Sequence, residues 1–173
     1  MPPYTSCIRD LLIWSFIVVV SLVPSAVSAQ TPFPDCATRT GVNASLILPA
    51  SLEITIDGEQ KEPPFLLAVF TPKGHCAGQV RWSGDPTTLT AWGSTEVLET
   101  SADTVLVPGD TMQIRLYDPA TDTGYTPDNS RITVTLRPDK THFNPHLRYV
   151  PDGMYLLNRI RVVQSALITR QEE

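Results

Sequence analysis

Along this chain of 173 residues, hydrophobic positions recur in short alternating runs, and those runs predict strands. "LEITI" (52–56) places Leu52, Ile54 and Ile56 on one face before the turn "DGEQ". "TMQIRLY" (111–117) sets Met112, Ile114 and Leu116 against Gln113, Arg115 and Tyr117. "RITVTLR" (131–137) alternates in the same way, and "HCAGQVRW" (75–82) carries Cys76, Gly78, Val80 and Trp82 together. A repeat of two is the side-chain period of a pleated strand. "NASLILP" (43–49), "TTLTAW" (87–92) and "MYLLNRIRVV" (154–163) add three more strands. "FLLAVF" (65–70) is apolar throughout, the pattern of a strand buried on both faces.

Turn chemistry bounds each run, with Gly, Pro, Asp and Asn between the Val, Ile, Thr and aromatic residues that favour strands. In "TPKG" (71–74), Pro72 suits the second turn position and Gly74 a positive φ. Thirteen of the sixteen prolines fall after residue 29, where they interrupt the windows in which a helix could propagate. The expected fold is therefore all-β: a single antiparallel β-sandwich, Ig-like or jelly-roll-like, of about eight strands. It spans 30–173, roughly 140 residues, enough for one domain with its own core. No repeat, linker or compositional shift marks a second domain. The longest irregular stretches are 93–110 and 138–152.

The first 29 residues change the picture of location. Arg9 leads into an apolar run from Leu11 to Val23, then Pro24 and small residues, with Val27 and Ala29 before a cut ahead of Gln30. This is the layout of a secretory signal peptide (1–29). The apolar run is about 13 residues, short of the roughly 20 that a membrane span needs. The expectation is a secreted, periplasmic or cell-surface-associated protein, with no membrane insertion after cleavage. "ALITRQEE" at the end lacks the apolar tail of a glycolipid anchor. A net charge of −5 without a run of Lys or Arg argues against nucleic acid or an anionic membrane as partner.

Cys7 leaves with the signal peptide, so Cys36 and Cys76 remain, and two cysteines in an exported chain predict one disulfide. His75 and Cys76 are neighbours on a predicted strand and face opposite ways, so this histidine cannot serve this cysteine as a base. His142 and His146 in "HFNPH" have the four-residue spacing of a helical metal pair, but Pro145 spoils that geometry and no further ligand completes a set. Asp118, Asp122 and Asp128 surround Gly124 in a stretch that suggests a calcium loop. It lacks the spacing and terminal glutamate of an EF-hand, and the same residues suit a strand connection. Glu53, Glu96 and Asp110 are scattered, and neither a GxSxG nor a phosphate loop occurs. "NAS" at Asn43 fits a glycosylation sequon, which matters only in a host with that machinery. Trp82, Trp92, Tyr117, Tyr125 and Tyr155 are the candidates for a sugar-stacking platform, though aromatic residues fill the core of any sandwich equally well.

Several elements together resemble a poorly characterised family of exported bacterial domains. They are "CATRTG" (36–41) on the pattern C-x-T-R-T-G, "VFTPKGHCAG" (69–78) on VF-x-P-x-G-x-C-A-G, and "LTAWG" (89–93) on LT-x-W-G. "GDTMQIR" (109–115) and "YVPDGMYLLNRI" (149–160) extend the likeness over most of the chain after residue 30. The resemblance implies a secreted or cell-surface β-sandwich without an established activity. Acids usually follow the Trp-Gly pair in such domains, whereas Ser94 and Thr95 stand here.

The functional expectation is an exported, non-catalytic binding module for protein interaction or cell-envelope and surface assembly. The alternative is a carbohydrate-binding module using exposed aromatics, with a hydrolase third. The partner is then a protein or a cell-surface glycan, and no catalytic residue, metal or cofactor is expected. Loops on a rigid sheet carry recognition in such scaffolds, so Trp92 and Tyr149, beside the two irregular stretches, are the candidate contact residues. An apolar patch with an unpaired edge strand favours a protein partner, and a face with exposed Trp or Tyr favours a glycan.

Overall fold

The computed structural model describes residues 32–33, 36, 41–95, 105–137 and 147–165. The predicted signal peptide, Glu96, His142 and His146 lie outside the described residues.

Every predicted strand forms, at nearly the predicted bounds. In chain order these are β1 (Val42–Leu48), β2 (Glu53–Ile56), β4 (Phe65–Phe70), β5 (Cys76–Trp82), β6 (Thr87–Gly93), β7 (Gln113–Asp118), β9 (Ser130–Leu136) and β10 (Met154–Gln164). Two short strands, β3 (Glu59–Gln60) and β8 (Thr123–Tyr125), raise the expected eight to ten. The sequence alone predicts turns at both places. Each is the short return arm of a hairpin, too brief to show an alternating pattern: β3 is polar throughout, and β8 buries only Tyr125. Asp57 and Gly58 have φ of 52° and 88°, so β2 and β3 are joined by a two-residue turn with both central residues left-handed. Gly74 has φ of 86° and its N–H donates to the Thr71 carbonyl, as the "TPKG" reading requires.

The strands make two sheets. One has six strands in the order β3-β2-β10-β1-β6, with β9 added to β10; the other has four, β5-β4-β7-β8. The expectation of purely antiparallel pairing is corrected here. β1 and β2 both run parallel to β10, with Ser45 opposite Met154 and Glu53 opposite Arg159. They follow one edge of β10 in succession, interrupted at residues 49–52. β9 takes the other edge, antiparallel. An irregularity at Asn158 lets β10 serve all three: Tyr155 and Leu157 point inward before it, Ile160 and Val162 after it.

Inward residues of both sheets join one hydrophobic cluster. Ala44, Leu46, Leu48, Leu89 and Ala91 come from the larger sheet, and Phe65, Leu67, Val69, Ile114 and Leu116 from the smaller. A second, smaller cluster lies on the opposite face of β4. It holds Phe33, Ala68, Phe70 and Cys76, with Cys36, Leu66 and Tyr117 at its edge. This is why "FLLAVF" is apolar at every position. Phe33 meets Phe70 edge to face at 5.7 Å, and the Arg115 guanidinium lies 3.8 Å above the same ring.

Cys36 and Cys76 form the expected disulfide across a sequence separation of 40. In the chain-entropy account, closing such a loop is worth about 4 kcal/mol. It holds Cys36, beside Phe33, against the outer face of β4. One detail of the reading is corrected. Cys76 does not share a face with Val80 and Trp82. A bulge opposite Val69 and Phe70 inserts Ala77, so Cys76 joins the outer cluster while Ala77 and Trp82 lie in the main core.

Candidate functional site

Among the described residues, β7 and β9 each have a stretch of edge without a strand partner, and both strands line one groove. β8 pairs only with Leu116–Asp118 of β7, so Gln113–Arg115 carry no partner on that side among the described residues. β9 pairs with β10 alone, and no described strand meets its outer edge. Between these edges runs a groove of about 580 Å³. Its apolar lining is Met112, Ile114, Ile132, Val134 and Leu147, with Ser130 and Ser165 at one end. Met112 and Ile114 are buried, whereas Ile132, Val134 and Leu147 pack on the core only in part.

The burial pattern of β9 follows from its position. Ser130 is buried, Arg131, Thr133 and Thr135 are exposed, and Ile132, Val134 and Leu136 are half-buried. The alternation is that of an ordinary core strand, but nothing described beyond β9 closes over its inner face. Leu147 reaches the groove because its carbonyl accepts the Met112 N–H, and Thr111 bridges Arg148 beside it.

The candidate contact residues separate. Trp92 is half-exposed on the outer face of β6, with Asn43 opposite it on β1. Met154, 50% exposed, and Ile47 lie on the same outer face. Tyr149, by contrast, is fully buried, and this corrects the expectation that its ring is offered to a partner. Its backbone N–H donates to the Asp110 carbonyl, and its own carbonyl accepts from Gly109, so the ring is held over Gly93. Burial pushes the Tyr149 phenol up to about 12. Its hydroxyl finds no hydrogen-bond partner among the described residues.

The proposed aromatic platform does not assemble. Trp82, Tyr125 and Tyr155 are buried, and the half-exposed Trp92 and Tyr117 belong to different sheets. Tyr155 donates its hydroxyl to the Arg148 carbonyl, and Tyr117 donates to the Asp122 carboxylate. That bond raises the Tyr117 phenol pKa, with Asp122 as its main cause; burial raises those of Tyr125 and Tyr155.

Asp118, Asp110 and Glu53 are engaged in local structure. Asp118 accepts from the Ala120 N–H at 2.8 Å and the Thr121 hydroxyl at 3.0 Å, closing the turn between β7 and β8. Asp110 accepts from the Val107 N–H at 3.0 Å, and Glu53 takes two nitrogens of Arg159 at 2.8 and 2.6 Å. Among the described residues no three His, Cys, Asp or Glu side chains gather as metal ligands, and no helix is long and apolar enough to cross a membrane. His75 is exposed, and its neighbour Cys76 is committed to the disulfide.

The groove beside β9 was not anticipated. The signal was present in "RITVTLR", a β-branched strand with no proline and charges only at its ends, but alternation alone does not tell an edge strand from a central one. No family model, curated protein or solved structure matches the chain.

Proposed function

We propose that this chain is an exported, non-catalytic protein-binding module of the cell envelope or surface, built as a β-sandwich on the two sheets. The observation that carries the reading is the groove between β7 and β9. Half-buried Ile132, Val134 and Leu147 line it beside strand edges that no described strand covers. Unpaired N–H and C=O groups beside apolar side chains suit an added strand, with the backbone supplying affinity and the side chains specificity. The disulfide fits an oxidising compartment, and the signal-peptide pattern fits export.

A photocross-linking residue at position 132, compared with one at 92, tests this in the native envelope. Cross-links to a protein are expected from 132, and Val134→Asp is expected to weaken binding of that purified protein by about tenfold or more. Turnover of a glycan, ester or peptide, lost on replacing one acid or histidine, overturns the reading.

A second reading rests on Trp92, whose half-exposed ring lies beside Asn43 on an open sheet face. Such a ring suits stacking on a sugar. Loss of polysaccharide binding in Trp92→Ala, with β9 variants unaffected, would favour it.

A further inference from the structure

We propose that the occupant of the β9 edge is the same edge of a second copy of this chain, paired antiparallel about a two-fold axis at Thr133. This rests on the groove reading above and names its partner.

The first support is the direction of the backbone groups. The Ser165 N–H donates to the Asn129 carbonyl, and the Val162 carbonyl accepts from Asp57 on the β2 side. In an antiparallel ladder hydrogen-bonded and non-bonded pairs alternate, so Arg131, Thr133 and Thr135 bond to β10. Ile132 and Val134 therefore aim their N–H and C=O groups away from β10, at the open edge. These are the residues whose side chains line the groove.

The second support is self-complementarity. A two-fold at Thr133 overlaps the whole of β9 with its mate, setting Ile132 opposite the second copy's Val134 and Arg131 opposite its Thr135. The outward-pointing groups of 132 and 134 then meet each other, and Thr133 faces its own symmetry mate. No like charges are opposed, because Arg131 is the only charged residue of β9. Ile132, Val134 and Leu136 of both copies fall on one face, and each set extends the apolar surface that the other leaves half-buried. An isologous contact needs this kind of patch, one that complements itself. β9 also lacks what usually protects an edge: it has no proline, no lysine and no bulge in its interior.

The test uses the exposed Thr133 side chain, which packs against nothing in the core. At the axis, 133 and its mate form a non-hydrogen-bonded pair, whose Cα separation of about 4.5 Å admits a disulfide. Thr133→Cys, purified with the Cys36–Cys76 bridge intact, is expected to oxidise to a covalent dimer. Thr135→Cys is expected to remain uncross-linked, since its counterpart is residue 131. Wild-type protein is expected to sediment as a dimer. Thr133→Lys should weaken self-association by about tenfold or more through opposed charges at the axis. Mixing it with Thr133→Glu should restore pairing. A wild-type monomer at high micromolar concentration, or equal cross-linking of 133 and 135, overturns the proposal. A wild-type monomer that still cross-links a different protein from position 132 overturns self-pairing alone and leaves the groove reading standing.

Discussion

The ring of Tyr149 lies so close to Gly93 that a Cβ at position 93 would sit 2.4 Å from Cζ and 2.6 Å from the hydroxyl oxygen. The Leu106 carbonyl would also lie 2.6 Å away, and Gly93 is bridged to Leu106 by the sheet. The last residue of β6 is therefore a contact point for the segment that precedes β10. Gly93→Ala is expected to cost about 3 kcal/mol, the upper end of the usual range for overpacking. Urea denaturation measures it. In a double-mutant cycle with Tyr149→Leu, the two changes should couple by more than about 1 kcal/mol, because they share one contact.

Gly78 makes a second close approach. An added Cβ would stand 1.9 Å from the Thr90 carbonyl oxygen, which is backbone and cannot swing aside. β5 and β6 are edge strands of different sheets, and Gly78 is where those edges meet. Gly78→Ala should lower stability more than Gly93→Ala does, beyond the roughly 1–3 kcal/mol of ordinary overpacking. Equal melting temperatures for Gly78→Ala and wild type would contradict this contact.

Tyr149 and Tyr155 should respond differently to loss of their hydroxyls. Tyr155→Phe removes a donor to the Arg148 carbonyl and is expected to cost about 1 kcal/mol or more. Tyr149→Phe removes a buried hydroxyl without a described partner, so stability at neutral pH should stay the same or rise. Denaturation midpoints of the two variants decide the point.

The same residues set an alkaline limit. The Tyr149 phenol is raised to about 12 by burial, against about 10 in an unfolded chain. The folded state holds its proton more tightly, so the associated stability is fully present below about pH 10 and is lost as pH rises toward 12. Urea midpoints should fall between pH 9 and 11.5, and Tyr149→Phe should reduce that fall. An unchanged pH dependence in the variant would show that ionisation of this phenol is not coupled to unfolding.

Thiol labelling of the denatured, unreduced protein should find Cys36 and Cys76 blocked. Cys36→Ser with Cys76→Ser should lower stability by about 4 kcal/mol, the chain-entropy value for a separation of 40. Labelling of both cysteines in material from an oxidising compartment would rule the bridge out.

Local order was legible in the chain itself. Alternation placed Ile54 and Ile56, or Ile114 and Leu116, on shared faces, because the pleat has a period of two whatever the neighbouring strand. "DG" and "TPKG" announced their turns because left-handed φ is open to few residues, and two cysteines after a predicted signal peptide announced their bridge. What alternation cannot carry is which strands become neighbours. The parallel pairing of β1 and β2 with β10 joins residues more than a hundred positions apart, a choice made by how the whole core closes. The bulge at Ala77 turns Cys76 outward against the simple pattern, since one extra residue reverses every later face. Tyr149 reads as a loop aromatic in sequence and is a core residue in space, because the backbone bonds of Gly109 and Asp110 carry it onto Gly93. The edge of β9 was equally hidden: "RITVTLR" reads the same with two neighbours or one, and only the assembled sheets show that β10 is its one partner among the described residues.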